Sequence, residues 1–333
     1  MSRRWVLLAG ALVLLLAAVL VTGLGTGTDE DSPRRPSRSE PTATPTPTPT
    51  PSFTPVANPL LGIYNGGPRT DDAVRASFGA YPDVASTYYR GNQRMDVAAE
   101  RARARKGIVP WLTVTSLDSG YTLADIGAGA ADAWIDAYAD DVRAIGTRLF
   151  LTFDHEYEVK ANQRQFDETA ASELADYHLA YNRFATRVRA RAANASVGYW
   201  FGGFDQASVD TISAALVRPD WYAFDPYSSV SDPASETFEE SAVPVLSWLR
   251  GRPWYDGQPI YLGEFGNDTR HGDAAVAAYL TDLRARVSRL GLSGALLFNR
   301  DRTDADGRYV AYRIDTGRTP QAQAAFGASL RQR

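Results

Sequence analysis

The sequence predicts a (β/α)8 barrel, in which eight parallel strands alternate with eight helices. Two observations favour this fold. From residue 60 onward, short apolar runs alternate with longer amphipathic stretches, which is the pattern of a parallel α/β domain. A doubly wound sheet, the alternative, would usually carry a glycine-rich phosphate loop after its first strand, and "GIYNGGPRT" (62–70) lacks the required spacing.

Eight apolar runs have the length and composition of buried strands. They are "LLGIY" (60–64), "VASTYY" (84–89), "IVPWLTV" (108–114), "LFLTF" (149–153), "VGYWF" (197–201), "WYAFD" (221–225), "IYLGEF" (260–265) and "GALLF" (294–298). Three intervening stretches place apolar residues on one helical face. They contain Ile135, Tyr138, Val142 and Ile145; Leu174, Tyr177, Tyr181, Phe184 and Val188; and Val276, Leu280, Leu283, Val287 and Leu290.

The N-terminal segment has the pattern of a membrane-targeting helix. Residues 5–23, "WVLLAGALVLLLAAVLVTG", form an uncharged apolar run behind Arg3 and Arg4, so we expect residues 1–23 to be a signal peptide or a transmembrane anchor. No clear small-x-small cleavage site follows, which favours the anchor. Residues 24–58 include "TATPTPTPTPSFTP" and predict an extended Pro/Thr-rich linker. The barrel, residues 59–333, is then expected at the extracellular face of the membrane or secreted.

Composition narrows the possible partners. The chain has 35 basic and 39 acidic residues, a formal charge of -4, and therefore no general excess of positive charge for nucleic acid. It contains no cysteine, which excludes disulfides, thiolate metal sites and a cysteine nucleophile. We expect a monomer that meets the membrane only through its N-terminal helix.

Charged residues follow the predicted fourth, sixth and seventh strands. In a barrel the active site lies at the C-terminal ends of the strands. Glu156 lies in "LTFDHEYE" (151–158) and Glu264 in "YLGEFGND" (261–268). Two carboxyl groups facing each other across a barrel mouth are what glycoside hydrolysis requires, because one protonates the leaving oxygen and the other attacks the anomeric carbon. Glu156 and Glu264 are therefore the candidate catalytic pair.

Five segments, in order, resemble glycoside hydrolase family 26. They are "AWIDAYADDVRAIGTRLFLTFDHE" (133–156), "YNRFATRVRARAANASVGYWFGG" (181–203), "FDPYS" (224–228), "YLGEFG" (261–266) and "VAYRIDTGRTPQAQAAF" (310–326). The likeness covers most of residues 60–330. The family belongs to the clan of retaining (β/α)8 glycosidases with glutamates after strands 4 and 7. The resemblance implies that Glu156 is the acid/base, that Glu264 is the nucleophile, that His155 and Tyr227 support them, and that no cofactor is needed.

Three positions depart from the family pattern. Thr152 stands where the family commonly has arginine, Tyr157 begins a segment that usually reads Met-Asn-Gly, and Phe298 replaces a tryptophan. These changes concern sugar binding more than the carboxyl pair. The resemblance therefore implies hydrolysis of a β-linked polysaccharide of the β-mannan, β-1,3-xylan or β-glucan type. A non-catalytic glycan-binding barrel, in which these changes mark lost turnover, and a surface scaffold that binds no saccharide remain alternatives.

Aromatic residues near strand ends are candidates for stacking on sugar rings. They include Trp111, Tyr157, Trp200 and Phe298, of which the last two are favoured because each lies at the closing end of its strand. Asp225, in "FDPYS", is a further candidate for a supporting role.

The charged residues around the acid allow several interpretations. Strand alternation puts Asp154 on the same face as Glu156, which places it inside the barrel beneath the acid in either a structural or a tuning role. Glu158 is expected to be solvated. His155 is expected to bind sugar hydroxyls, and a metal site is disfavoured because the chain lacks HExxH and a second histidine at ligand spacing.

Overall fold

The structure is a computed structural model, and it describes residues 53–66, 70–162, 170–303, 307 and 309–332. The predicted anchor (1–23) and the linker as far as residue 52 lie outside the described residues. Among the helices that are described, none is long and apolar enough to cross a membrane.

Strands and helices alternate through most of the described chain. The strands are β1 (Leu60–Tyr64), β2 (Val84–Tyr89), β3 (Val109–Val114), β4 (Leu149–Phe153), β5 (Ala195–Trp200), β6 (Tyr222–Phe224), β7 (Tyr227–Ser228), β8 (Ile260–Asn267), β9 (Gly294–Phe298), β10 (Asp301–Thr303) and β11 (Tyr309–Ala311). The helices are α1 (Asp71–Phe78), α2 (Val97–Arg105), α3 (Leu123–Ala128), α4 (Asp132–Ile145), α5 (Tyr157–Asn162), α6 (Ala170–Arg191), α7 (Gln206–Ser213), α8 (Phe238–Arg250), α9 (Asp273–Leu280), α10 (Leu283–Arg289) and α11 (Pro320–Arg331).

The strands close into the predicted barrel. Neighbours pair in parallel in the order β6-β5-β4-β3-β2-β1-β9-β8, and β6 pairs with β8 to complete the ring of eight. The prediction of a (β/α)8 barrel is confirmed, and the bounds of β1, β2, β4 and β9 agree with the predicted runs. The two-residue β7 adds to the C-terminal end of β8, and β10 pairs with β11 in a separate antiparallel hairpin.

Aromatic side chains fill the barrel interior. Trp111, Trp200, Trp221 and Tyr261 form one buried cluster, and the rings of Trp111 and Trp221 lie 4.4 Å apart. Such large side chains need glycine on the facing strands. A Cβ on Gly198 would lie 2.0 Å from the indole of Trp221, so these strands cannot carry a side chain at such positions without repacking the core.

The predicted helix over 276–290 is two helices in the structure. Helix α9 ends at Leu280, and α10 begins at Leu283 after Asp282, whose φ of 51° is left-handed. Ser329 of α11 lies at the break, where its hydroxyl accepts from the backbone of Leu283 at 3.2 Å and donates to the carbonyl of Leu280 at 3.4 Å. The periodic apolar residues therefore continue across a kink that only tertiary packing reveals.

Residues before β1 lie against the barrel. The guanidinium of Arg250 lies 4.5 Å from the ring centre of Phe53. The backbone of Val56 donates to the carbonyl of Ser288 at 3.0 Å and accepts from its hydroxyl at 2.7 Å. This end of the predicted linker is thus part of the packed domain.

We predict that Gly198→Ala lowers the free energy of unfolding by about 1 to 3 kcal/mol, because the new methyl group overlaps the Trp221 ring. Urea unfolding followed by tryptophan fluorescence measures the change. Gly251→Ala is the matched control, since φ there is -84° and a Cβ would meet only ordinary contacts at 3.4 Å and beyond. Equal stability of the two variants would contradict the packing described here.

Candidate active site

A cleft of about 1140 Å³ opens at the C-terminal ends of the barrel strands. Side chains at or just beyond the C-terminal ends of all eight barrel strands line it. The cleft contains Glu156 and Glu264 together with His155, Tyr227 and Phe298 from the predicted set. The structure therefore brings the candidate pair and three of its predicted neighbours into one cleft.

Glu156 is held by a strained turn at the end of β4. The strand ends at Phe153, and Asp154 and Glu156 then adopt left-handed conformations with φ of 42° and 53°. Their backbone N–H groups donate to the carbonyls of Val114 and Trp200, both at 2.9 Å, so the turn is held by the strands on either side. Left-handed backbone at residues other than glycine costs energy and is concentrated at functional sites.

Glu264 lies in β8, where the pairing with β9 shifts register between Leu262 and Phe265. Such irregularities bend a strand and redirect its side chains. Each oxygen of the Glu264 carboxyl group accepts a hydrogen bond from one tyrosine, Oε1 from Tyr88 and Oε2 from Tyr227. Tyr227 is in place because β7 pairs with β8 just beyond this glutamate. The carboxyl group is consequently fixed in one orientation.

Asp225 connects the two glutamates. Its Oδ1 accepts from the backbone N–H of Glu264 at 2.7 Å, and both of its oxygens lie within 2.8 Å of the indole nitrogen of Trp200. Its carboxyl group also hydrogen-bonds the side chain of Glu156. Asp225 is buried, and its interaction with Glu156 favours the protonated form of this aspartate.

Burial and mutual repulsion set the ionisation of this cluster. Burial, followed by the charge of Glu156, raises the pKa of Glu264 to about 7, although the hydrogen bonds from Tyr227 and Tyr88 act to lower it. Burial and the charges of Glu156 and Glu264 hold the pKa of Asp225 well above its ordinary value. Asp225 and Glu264 therefore still hold part of their protons at pH values where exposed carboxyl groups are fully ionised.

His155 is held as a neutral imidazole beside Glu156. Burial, with the charge of Lys160, holds the pKa of His155 well below its ordinary value. The Lys160 ammonium lies 3.0 Å from Nδ1 and 3.4 Å from Nε2 of the imidazole, and it also donates to the backbone carbonyl of His155. Nε2 lies 3.8 Å from Oε2 of Glu156. The ring also lies 4.8 Å, centre to centre, from those of Tyr88 and Trp200, which fixes its plane.

Three of the predicted aromatic residues do not reach the cleft. Trp111 lies fully buried in the barrel interior. Trp200 is also buried, and Gly263 leaves the space for its indole, since a Cβ there would lie 2.2 Å from the ring. Tyr157 begins α5 and stacks on Tyr177 of α6 at 4.1 Å, outside the barrel. Phe298 alone among these candidates lines the cleft, where Trp200 acts indirectly through its hydrogen bonds to Asp225.

Two acidic residues near Glu156 are buried. Asp154 accepts from the backbone of Ser116 at 2.9 Å, and burial raises its pKa to about 6. Glu158, expected to be solvated, is fully buried; its Oε1 accepts from the backbone of Gly202 at 2.6 Å, and burial raises its pKa to about 7. The expectation for Glu158 was wrong because the chain turns inward into α5 directly after Glu156 instead of continuing as a loop.

Several cleft residues are not evident from the sequence. Tyr88 lies within an apolar strand, Lys160 lies in a short helix, and Arg302 lies in the β10–β11 hairpin. Phe204, which follows β5, is 69% exposed at the cleft. Only the position of Tyr88 near the end of the second strand could have suggested a role. Within the described ranges, no group of histidine, aspartate and glutamate side chains is arranged to hold a metal ion.

Comparison with solved structures gives the same fold. A family 26 β-mannanase from Bacteroides ovatus superposes with a TM-score of 0.55 at 16% identity, covering 83% of this chain and 89% of that one. The family 26 domain of a Prevotella bryantii endo-β-mannanase/endo-β-glucanase gives 0.52 at 12%, covering 84% and 93%. A family 1 β-glucosidase from Thermotoga maritima gives 0.55 at 12%, covering 80% and 93%. The resemblance to family 26 is thus confirmed for the fold. No protein-family model and no curated protein sequence matches the chain.

The tyrosine pair on Glu264 leads to a prediction about its ionisation. Each hydroxyl stabilises the charged carboxylate, so Tyr88→Phe and Tyr227→Phe should raise its pKa further and move the acid limb of the activity profile to higher pH. We expect kcat/KM to fall about tenfold to a hundredfold, the value of one hydrogen bond to a charged group.

Initial rates between pH 4 and 9 measure both effects. Tyr89→Phe is the control, because the adjacent hydroxyl donates to Glu100 at 3.0 Å and has no contact with Glu264. An acid limb that moves equally in Tyr88→Phe and Tyr89→Phe would contradict the assignment.

The raised pKa of Glu264 also predicts how stability varies with pH. The group ionises at about 4.5 in the unfolded chain and at about 7 when folded, so ionisation destabilises the fold progressively as pH rises through this interval. Glu264→Gln lacks this cost. We expect its stability relative to the parent protein to increase between pH 4.5 and pH 8, by on the order of 2 to 3 kcal/mol.

Melting temperatures across this range test the sign. Glu240→Gln is the control, since the backbone N–H of Thr237 lowers the pKa of Glu240, and its stabilisation is lost only as pH falls below about 4.5. The difference in melting temperature between Glu240→Gln and the parent protein should therefore stay constant from pH 5 to pH 8. If the difference in melting temperature between Glu264→Gln and the parent protein were equally constant, the raised pKa of Glu264 would be refuted.

Proposed function

We propose that this protein is a retaining glycoside hydrolase that cleaves a β-linked polysaccharide by double displacement. The observation that carries the proposal is the unequal environment of the two glutamates in one cleft. Glu264 is buried and fixed by two hydroxyl donors, whereas Glu156 keeps 17% of its side chain exposed and hydrogen-bonds a group that holds a proton. A fixed carboxylate suits a nucleophile, and a carboxyl group with access to a proton suits an acid/base.

The geometry supports the following sequence of steps. Glu264, held by Tyr88 and Tyr227, attacks the anomeric carbon while Glu156 protonates the departing oxygen, which leaves a glycosyl-enzyme. Glu156 then removes a proton from water, which attacks the same carbon and releases Glu264 with overall retention. As the negative charge of Glu264 is consumed in the first step, repulsion on Glu156 falls, which favours its change from acid to base.

The choice of substrate class rests on the cleft and on the fold. The structural neighbours include β-mannanases and a β-glucosidase, which supports a β-glycosidase. The cleft volume of about 1140 Å³ exceeds the upper end of the range usual for small-molecule pockets, and the exposed ring of Phe204 at its edge provides a surface for a further sugar. We therefore propose an oligosaccharide or polysaccharide substrate, acted on outside the cell by a protein anchored through residues 1–23.

Hydrolysis is tested first. The full chain in mild detergent is incubated with β-mannan, β-1,3-xylan, mixed-linkage β-glucan and cell-surface polysaccharide, and release of reducing ends is measured. Early products examined by proton NMR should show the β-anomer. Binding of a glycan without turnover would instead support a non-catalytic glycan-binding barrel, and absence of both would support a scaffold.

The two roles predict different rescue by azide. Both Glu156→Ala and Glu264→Ala should lose at least about a thousandfold in activity on polysaccharide, as expected when an acid/base or a nucleophile is removed. On an aryl β-glycoside with a good leaving group, Glu156→Ala should form the glycosyl-enzyme, and azide should then yield the β-glycosyl azide. Azide should replace the missing nucleophile in Glu264→Ala and yield the α-glycosyl azide.

Product configuration determined by NMR tests this assignment. Glu158→Ala is the control, because Glu158 is buried against the backbone of Gly202 and has no place in either step. If Glu156→Ala gave the α-glycosyl azide and Glu264→Ala the β-glycosyl azide, the roles of the two glutamates would be reversed. Activity that survives in both variants would show that other carboxyl groups act.

A further inference from the structure

The cleft contains positive charge that the proposed mechanism does not use. Arg300 and Arg302 both line it and are both exposed. Arg300 donates to the hydroxyl of Tyr64 at 3.3 Å and Arg302 lies 5.6 Å from the ring centre of Phe298, and neither forms an ion pair within the described residues. Arg90 also lines the cleft, but Asp118 pairs with it at 2.8 Å. Arg300 and Arg302 thus keep donors available to a ligand.

Packing holds both guanidinium groups at one side of the cleft. The aliphatic stem of Arg300 passes over Gly66, where a Cβ would lie 2.5 Å from its Cγ and Cδ. Arg302 belongs to β10, paired in register with Val310 of β11, and its guanidinium lies over the Phe298 ring. Contact with an aromatic face and packing of the stem reduce the rotamer freedom that a bound ligand would otherwise have to remove.

Compensation of the catalytic carboxylates accounts for these arginines only in part. Both oxygens of Glu264 are already occupied by Tyr88 and Tyr227, and Asp225 hydrogen-bonds Glu156. Arg300 and Arg302 make no ion pair with either glutamate in the described part of the chain. The charge of Arg302 does lower the pKa of Glu264, but it acts at a distance and occupies none of the guanidinium hydrogen-bond donors. Placed where a neighbouring sugar would lie, the two arginines are better suited to binding an anion directly.

We propose that the cleft accepts a β-linked glycan whose sugars carry anionic groups, and that Arg300 and Arg302 bind the anion on a sugar beside Phe298. A guanidinium binds a carboxylate or a sulfate ester through two parallel hydrogen bonds, which neutral hydroxyls cannot match. This inference rests on the proposed glycosidase function and specifies its substrate class.

Pairs of probes that differ only in charge test the inference. They are β-1,4-mannuronan and its carboxyl-reduced product, hyaluronan and its carboxyl-reduced product, and sulfated laminarin and laminarin. The full chain carrying Glu264→Gln, which cannot turn over a probe, is titrated with each in detergent by calorimetry. We expect the charged member of at least one pair to bind about tenfold or more tightly, the value of one charge-assisted hydrogen bond, and the preference to weaken with salt. The pair that responds distinguishes a carboxylate from a sulfate.

Substitution assigns the preference to its residues. Arg300→Gln and Arg302→Gln should each reduce the preference, and together abolish it, with affinity for the neutral member unchanged within about twofold, the uncertainty expected for an exposed substitution. Arg302→Lys should restore part of it. Arg90→Gln, the matched control, should leave it intact because Asp118 neutralises that guanidinium. Equal affinity for both members of every pair, binding to none of the probes, or a preference that survives the double substitution would each overturn the inference.

Hydrolysis assays distinguish a failure of the anion-binding inference from a failure of the proposed glycosidase function. Hydrolysis by the unsubstituted protein is measured on the same six probes. Cleavage of neutral and charged members with equal kcat/KM overturns anion recognition and leaves the glycosidase standing. Charge-dependent binding without cleavage of any probe supports the anion site and counts against the glycosidase.

Discussion

Placing three carboxyl groups side by side away from water is the constraint on which the rest of this structure depends. Ionisation of Asp225 and Glu264 is unfavourable there, because desolvation and the charge of Glu156 both oppose it. The surrounding residues each reduce part of that cost: two tyrosine hydroxyls serve Glu264, and the Trp200 indole together with a backbone N–H serves Asp225. The barrel is the scaffold that brings these donors together from different strands.

The need to place these carboxyl groups and their donors explains features of the fold that do not themselves add stability. A register shift in β8 and left-handed backbone at Asp154 and Glu156 both weaken regular structure, yet they occur at the two glutamates and direct both into the cleft. Gly263 provides room for Trp200, and Trp200 in turn donates to Asp225. Gly263 therefore supports the carboxyl cluster indirectly, because the absence of a side chain leaves space for the Trp200 ring.

The strands could be predicted because each is a continuous apolar run, and the candidate pair could be predicted because strand ends in a barrel converge. Contacts between segments that are distant in the sequence could not be predicted. Tyr88 looks like any aromatic strand residue until β2 is placed opposite Glu264, and Lys160 looks like a solvated residue until α5 turns back over His155. Trp200 and Phe298 both lie at the ends of apolar runs, yet only Phe298 reaches the cleft, because whether a ring at a strand end points into the barrel or into the cleft depends on local register.

Thr152 shows how a departure from a family pattern can be compensated at another place. The resemblance to family 26 leads one to expect arginine here, but Thr152 is fully buried and its hydroxyl donates to the carbonyl of Gly198 at 3.1 Å. No cation therefore comes from this position. Positive charge instead enters from Lys160 in α5 and from the segment after β9, around the same two glutamates. These cations come from segments that follow the strands and not from the barrel wall, so they add positive charge to the cleft while leaving the carboxyl pair in place.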